Sequence, residues 1–334
     1  MEEVSTNWSA DSLVRAKSDR DETSGQAVRA PMRSGPVKTN DREKCTLPDR
    51  VRLSQVRLRT MDSTKLVGFY TGPLGFKLVE SAGADSEISA TGKEPGFLML
   101  TEDRKAVPRP PGTTGLFHLA IRFPSRLDLA RAYRRLLVYG YPIEGASDHG
   151  VSEAVYLADP EGNGVELYAD RPRSQWHWEN GQVVMGTKPL DLQSLLTAVP
   201  AEQAIDHPSA RTVLGHIHLN VASLAEAERF YAEYLGMAVT QRTYPGALFF
   251  AAGGYHHHVG ANVWSGKAAP PPNATGLISY RFHVPVSEIL YCLSHRAPVV
   301  GYKTGDVQEE GKHILQIRDP NGNWLEVQTG RKAL

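Results

Sequence analysis

The sequence has few cysteines and no excess charge of either sign, and both shortages limit the classes of protein it can be. Its 334 residues contain 37 Lys and Arg against 37 Asp and Glu, so the formal net charge is zero. A surface that binds nucleic acid phosphates normally carries excess positive charge, so we expect no nucleic acid partner. The two cysteines, Cys45 and Cys292, lie far apart and allow at most one bridge. This usage predicts plain thiols and a reducing compartment.

Long apolar runs and nucleotide-binding motifs are also missing. No stretch of about 18 apolar residues occurs, and Glu2 and Glu3 stand where a secretory leader would be basic. We therefore expect no membrane span, no secretion and a cytoplasmic location. The patterns GxGxxG and GxxxxGKS/T are absent, so the sequence gives no support for a nucleotide cofactor.

Internal repetition is the main feature that is present. Residues 1–49 are rich in Ser, Asp, Arg, Lys and Thr without an apolar period, which predicts a disordered tail. Beyond this tail, matched phrases recur at a nearly constant interval. FYTGPLG begins at Phe69 and FYAEYLG at Phe230, while DPEGNGVEL begins at Asp159 and DPNGNWLEV at Asp319. Two homologous halves therefore follow one another along the chain.

Each half divides into two modules, in which an alternating strand usually precedes a helical stretch and further strands. A long connection, residues 171–212, separates the second module from the third. The pattern predicts two domains of two modules each, an N-terminal one over 50–170 and a C-terminal one over 213–329. The four modules lie near 50–102, 114–170, 213–266 and 275–329.

The phrases GHIHLNV, FYAEYLG and DPEGNGVELY carry a family resemblance. With this module order, the chain resembles the vicinal oxygen chelate superfamily of glyoxalases, extradiol dioxygenases and fosfomycin-resistance proteins. TGLFHLAIRFPSRLDLA, EGASDHGVSEAVYLADPEGNGVELYADRPR and GGYHHHVGANVW are similar to the bacterial catechol-2,3-dioxygenase family with four modules. The resemblance covers about residues 50–328 and implies an α+β fold of tandem βαβββ modules.

Metal ligands are expected where polar and apolar side chains alternate in the opening strands. In LFHLAIRF and GHIHLNV, alternation places His118 and His216 on the polar face. That pattern also suits a sheet face exposed to solvent. The resemblance implies ligands on the opening and closing strands of two paired modules, which adds Glu166 and His258 when the second module pairs with the third. Two His and one carboxylate form the facial arrangement that suits Fe(II) or Mn(II). The predicted metal ligands are His118, Glu166, His216 and His258.

Other module pairings stay open at this point. Pairing the third module with the fourth would use His216, His258 and Glu326, but Ser279 stands where a ligand is expected. Pairing the first with the second would place Gln55 at a ligand position. Only the second-with-third pairing fills every position with a good ligand, so it is the one we predict.

Two further histidines are candidates for acid/base catalysis. Alternation places His257 on the opposite side of the chain from His256 and His258. The resemblance implies a histidine beside the metal that is not a ligand, and we predict that His257 has this role. His149 in SDHGVSE is the second candidate. A neutral imidazole can accept a catechol proton near pH 7 and return it later.

The resemblance and these residues together predict an extradiol ring-cleaving dioxygenase acting on catechol or a related aromatic diol. The implied metal is Fe(II), with Mn(II), Ni(II) and Zn(II) as alternatives, and the implied partners are the diol and dioxygen. Two other functions compete: a glyoxalase-like isomerase or lyase, and a non-catalytic small-molecule binder similar to bleomycin-resistance proteins. The sequence leaves open whether the chain forms a homo-oligomer.

Overall fold

A computed structural model describes residues 45–200, 207–309 and 312–330. Within this part, each module has an opening strand, a helix and three further strands, as predicted. The first module comprises β1 (Arg52–Thr60), α1 (Ser63–Thr71), β2 (Lys77–Ala82), β3 (Asp85–Ser89) and β4 (Leu98–Glu102). The second comprises β5 (Gly115–Phe123), α2 (Arg126–Val138), β6 (Gly145–Asp148), β7 (Ser152–Ala158) and β8 (Gly164–Asp170).

The connection between the second and third modules is itself structured. It forms a 3₁₀ turn (Arg173–Gln175), β9 (Trp178–Glu179), β10 (Gln182–Val183), β11 (Lys188–Pro189) and α3 (Leu192–Thr197). Strand β11 pairs antiparallel with β6 and so extends the sheet of the second module.

The third and fourth modules repeat the same order. The third comprises β12 (Val213–Asn220), α4 (Leu224–Glu228) continued by a π-helical turn (Arg229–Tyr234), β13 (Ala238–Gln241), β14 (Ala247–Ala251) and β15 (Val259–Asn262). The fourth comprises β16 (Gly276–Val284), α5 (Glu288–Val299), β17 (Thr304–Glu309), β18 (Lys312–Arg318) and β19 (Trp324–Thr329). No helix among the described residues is long and apolar enough to cross a membrane.

The modules are distributed over two sheets. One sheet has the strand order β17-β18-β19-β16-β1-β4-β3-β2 and joins the first module to the fourth. The other has the order β11-β6-β7-β8-β5-β12-β15-β14-β13 and joins the second module to the third. The opening strands of paired modules run antiparallel, β1 beside β16 and β5 beside β12. The module pairing that we predicted is therefore present, while each sequence half contributes one module to each sheet.

Alternation in the opening strands buries one face of each sheet. Leu119, Ile121, Ile217 and Leu219 are fully buried and belong to one hydrophobic core that includes residues of both sheets. Burying a side chain of this size stabilises the fold by about 1.5–3 kcal/mol. The opposite face of β5 and β12 carries the histidines.

The repeated DPxGN phrases form the turns that lead into the closing strands. Asp159 accepts hydrogen bonds from the backbone N–H groups of Glu161 and Asn163, each at 2.9 Å, and from the Asn163 side chain. Asp319 makes the same contacts with Asn321 and Asn323. These turns fix where β8 and β19 begin, and thus the position of the carboxylate that each strand carries.

Two expectations about the N-terminal part of the chain need correction. Cys45 and Cys292 form a disulfide, so the prediction of plain thiols is wrong. Cys45 and Leu47 are buried, and the Leu47 N–H donates to the Leu235 carbonyl at 3.1 Å. The last residues of the predicted tail are therefore packed, because two apolar side chains and a bridge offset the entropy of ordering them. Residues 1–44 of that tail lie outside the described residues. The disulfide also removes one argument for a reducing compartment.

Candidate metal centre

Three of the four predicted ligands meet at the middle of the nine-stranded sheet. Nε2 of His118 and Nε2 of His216 lie 3.0 Å and 2.9 Å from the same Glu166 oxygen, Oε2. One ligand atom from each of the three residues lies within 4.8 Å of the others. All three side chains are buried.

Strand register explains why these three residues meet. Ala120 on β5 lies opposite Glu166 on β8 and opposite His216 on β12. His118 precedes Ala120 by two residues and points to the same side of the sheet. The small Ala120 side chain leaves space above it, into which the longer side chains on either side converge.

The charge state of the cluster suits a cation. Burial raises the pKa of Glu166, but the two imidazoles more than offset this effect, and the pKa lies well below its usual range. Burial lowers the pKa of His216 to about 4, although Glu166 opposes the shift. The carboxylate is therefore ionised at neutral pH and supplies the negative charge that a bound cation requires.

The donor set fits a divalent metal. Two atoms that each bind one metal at about 2.1 Å, at right angles, lie about 3 Å apart. The two His to Glu166 distances, 3.0 Å and 2.9 Å, match this spacing. Nε2 of His118 is buried and makes no well-aligned hydrogen bond among the described residues, although it lies near the carboxylate. An ionised carboxylate buried beside such an atom is costly unless a cation accompanies it.

A cavity of about 610 Å³ opens onto the cluster. Its walls are largely apolar and aromatic, and the connection between the second and third modules contributes to them. The lining includes Phe117, Val151, Met185, Phe249 and Trp264 together with His118, Glu166 and His216. A pocket of 300–1,000 Å³ is typical of a small-molecule site.

The structure does not bring His258 to the cluster. Its ring packs against Tyr255, with ring centroids 5.0 Å apart, and it does not line the cavity. The register of β12 with β15 places Gly260 opposite His218, and Gly260 is therefore the counterpart of Glu166 in the third module. A Cβ atom on Gly260 would lie 2.8 Å from the His218 ring, which fills this space.

His257, the predicted acid/base residue, lies beside the cluster and lines the cavity. Its ring stacks on His216 with a centroid distance of 4.0 Å. Burial lowers the pKa of His257 well below its usual range, and the neighbouring His216 and His256 add to the effect. The imidazole is therefore neutral at pH 7, the form that accepts a proton.

His149 also lines the cavity. Its ring is hydrogen-bonded to a tyrosine that the sequence patterns did not identify. Its Nδ1 donates to the Gly186 carbonyl at 2.7 Å, so Nε2 accepts from the Tyr156 hydroxyl at 2.6 Å. Tyr156 lies opposite Glu166 in the strand register. Burial and the Glu166 carboxylate hold the pKa of Tyr156 well above its usual range, so the phenol stays protonated. A tyrosine inside a strand has no motif, so only the strand pairing identifies it.

Comparisons with known proteins give one matching family and two similar relatives. The model of the Glyoxalase/Bleomycin resistance protein/Dioxygenase superfamily matches residues 52–167 and 213–327. The chain is 42% identical over 258 residues to a catechol-2,3-dioxygenase of Bacillus subtilis (strain 168), covering 75% of this chain and 88% of that protein. It is 30% identical over 120 residues to biphenyl-2,3-diol 1,2-dioxygenase 3 of Rhodococcus globerulus, covering 36% of this chain and 63% of that protein.

A solved structure shares the fold. Glyoxalase I from Zea mays superposes with a TM-score of 0.54 at 15% identity, covering 84% of this chain and 92% of that chain. At this identity the likeness concerns the fold alone, and it confirms the predicted fold class.

Proposed function

The chain belongs to the glyoxalase/bleomycin resistance protein/dioxygenase superfamily and is an enzyme of the extradiol dioxygenase type, and from this we propose that it opens the ring of catechol or a related aromatic diol. We propose Fe(II) as its metal, held by His118, Glu166 and His216. Dioxygen is the second substrate. The single observation that carries the proposal is the convergence of two imidazoles on one buried carboxylate oxygen at the floor of an aromatic cavity.

The metal set has the composition that this chemistry needs. Two His and one carboxylate occupy one face of a metal and leave its remaining positions for a diol and dioxygen. When bound, Fe(II) supplies Lewis-acid binding of the diol oxygens and the electron transfer that activates dioxygen. The protein supplies the ligands, the proton acceptor and the walls of the cavity.

We assign the first proton transfer to His257. The ring is neutral, lines the cavity and stacks on a proposed ligand, so a diol held at the cluster would present a hydroxyl to it. The proton moves from the diol hydroxyl to the imidazole, and the imidazole returns it once the ring has opened.

We assign His149, the second candidate, to orienting Tyr156. Because Nε2 of His149 accepts a hydrogen bond from the Tyr156 hydroxyl, the lone pairs of the Tyr156 oxygen remain available for the donor groups of a substrate. The pair therefore positions a bound diol, and His149 acts on it through Tyr156.

The cavity size bears on the substrate class. A volume of about 610 Å³ exceeds what a single aromatic ring needs, and the aromatic walls suit further apolar substituents. The proposed substrates therefore include diols larger than catechol. The competing glyoxalase-like reaction is less well supported, because the described cluster contains one carboxylate and such sites tend to use two.

Metal analysis and ring-cleavage assays test the proposal. Protein purified without oxygen is expected to contain one iron per chain and to convert catechol to a yellow ring-opened product. His118→Ala and His216→Ala should lose both iron and turnover while keeping the far-UV circular dichroism spectrum of the parent. Stoichiometric nickel or zinc with no diol cleavage would favour the isomerase, and a metal-free protein that binds small molecules would favour the binder.

A further inference from the structure

A chain of three buried or half-buried side chains leads from the end of β8 to the cavity. Nε2 of His256 lies 3.0 Å from Oδ1 of Asp170, and Nδ1 of His256 lies 2.8 Å from Nδ1 of His257. The His256 ring is fully buried, and His257 lines the cavity. The sequence singled out the HHH run, but the proposed reaction uses only its middle member.

The Asp170 end of this chain accepts hydrogen bonds only. Nη1 of Arg122 donates to Oδ2 of Asp170 at 3.4 Å, and the Tyr255 hydroxyl lies 3.2 Å from both carboxylate oxygens. Burial raises the pKa of Asp170, but His256, Arg122 and Tyr255 more than offset this effect and hold it below the usual value. The carboxylate is therefore ionised, and the contact with His256 requires a proton on Nε2 of His256.

This proton on His256 determines which nitrogen of His257 carries a proton. With one proton on each ring, a His256 that carries it on Nε2 has a lone pair on Nδ1. Two ring nitrogens 2.8 Å apart share one proton, so His257 must supply it from its own Nδ1. Nε2 of His257 is then left without a proton. The hydrogen bond at one ring nitrogen sets the state of the other.

We propose that Asp170 and His256 are positioning residues that hold His257 in the tautomer whose unprotonated nitrogen is Nε2. This nitrogen is the proton acceptor of the site. The role of this nitrogen in the reaction rests on the proposed function, whereas the tautomer of His257 does not depend on it. Neither residue needs to touch the substrate, since both act through His257.

Asp170→Asn should exchange the donor and acceptor nitrogens of both His256 and His257. The guanidinium of Arg122 attracts the amide oxygen, which leaves the amide N–H₂ group facing His256. His256 then accepts at Nε2 and donates from Nδ1, so His257 accepts at Nδ1 and carries its proton on Nε2. The cavity would face a donor in place of an acceptor. We expect kcat to fall by at least about 10–100-fold, the range found when a residue that orients a metal ligand is changed, with KM largely unchanged.

Nitrogen-15 NMR of the full chain, labelled at histidine, reads the tautomer directly. It should be recorded on the metal-free protein and on protein loaded with Zn(II), which is diamagnetic. The parent should show His257 protonated at Nδ1, and Asp170→Asn should show it protonated at Nε2. His256→Phe, which keeps a ring in the buried space but has no nitrogen, should show a mixture of tautomers.

Asp306→Asn is the matched control. Asp306 also accepts from a histidine, at 2.6 Å from Nε2 of His313, but it lies on β17 in the other sheet. This variant should keep both the His257 tautomer and the rate of the parent. Nε2 protonation of His257 in the parent, or an unchanged tautomer in Asp170→Asn, would overturn the inference. A parent that shows the expected tautomer but cleaves no diol would refute the proposed function and leave the inference standing.

Discussion

The Glu326 carboxylate accepts a hydrogen bond from Nε of Arg281 at 2.7 Å, directly across the strand register between β19 and β16. Glu166 has the equivalent place between β8 and β5, but the residue opposite it is Ala120. The same carboxylate position is therefore neutralised by a fixed guanidinium in one sheet and faces two imidazoles in the other. At this position, therefore, only the Glu166 carboxylate lies beside histidine nitrogens that could bind a metal with it.

Glu166→Gln and Glu326→Gln should accordingly have opposite effects. Glu166→Gln removes the anionic ligand and should weaken iron binding by at least the 10–100-fold that changes around a metal typically cause. Glu326→Gln should leave iron binding unchanged. It should instead lower the free energy of unfolding by about 2 kcal/mol, because Arg281 loses a buried charged partner. Iron titration and urea unfolding of both variants give the comparison, and equal iron loss in the two would contradict a single site.

Gly260→Ala should destabilise the site-bearing sheet. The added methyl group would lie 2.8 Å from the His218 ring, which Phe117 and Trp264 confine at centroid distances of 5.0 Å and 5.4 Å. Overpacking of this kind costs about 1–3 kcal/mol. Gly305→Ala is the control, because its nearest neighbour would be 3.6 Å away. Calorimetry should show a lower melting temperature for Gly260→Ala alone; equal values would mean that the ring moves freely.

The disulfide should contribute measurably to stability. Replacing Cys45 and Cys292 by Ser together should lower the free energy of unfolding by about 2–4 kcal/mol, the typical value for a native bridge. Dithiothreitol should destabilise the parent to a similar extent and have no effect on the double variant. A parent that is insensitive to reductant under unfolding conditions would contradict this prediction.

Truncation tests where the packed part of the N-terminal segment begins. Removal of residues 2–47 should lower the melting temperature, because it deletes the Cys45 bridge and the buried Leu47. Removal of residues 2–44 should have no such effect, since the composition of that part predicts no packed element. Equal melting temperatures for the two truncated proteins would show that the bridge and Leu47 are dispensable.

Asp159 should make stability depend on pH. Burial raises its pKa from 3.8 to about 6, so between about pH 4 and pH 6 the folded chain binds a proton that the unfolded chain does not. The contribution of protonated Asp159 to the free energy of unfolding is complete below about pH 4 and is lost as the pH rises through 6. Urea unfolding should show that Asp159→Asn, which cannot titrate, lacks this part of the dependence. Parallel curves for parent and variant would refute the assignment.

Much of the fold follows from the sequence because the repeats carry local information. The DPxGN turns and the alternation in LFHLAIRF and GHIHLNV are set by neighbouring residues, so the four modules could be predicted. The meeting of His118, Glu166 and His216 was predicted from the family resemblance, which supplies the ligand positions on the opening and closing strands. The position of His258 could not be predicted, since it depends on the register between β12 and β15, where a shift of one residue changes which side chain faces the cavity. Tyr156 and the Cys45 bridge depend on contacts between distant parts of the chain, which no local pattern encodes.

The strand order also has a consequence for synthesis. The sheet that carries the three candidate ligands is built from one continuous stretch, 114–266, whereas β1 must pair with β16, which begins at Gly276. A ribosome makes a chain from its N-terminus, and domains begin to fold as they emerge. The ligand-bearing sheet can therefore be complete while β1 is paired with β4 alone. The eight-stranded sheet can be completed only after β16 and the rest of the fourth module have been made.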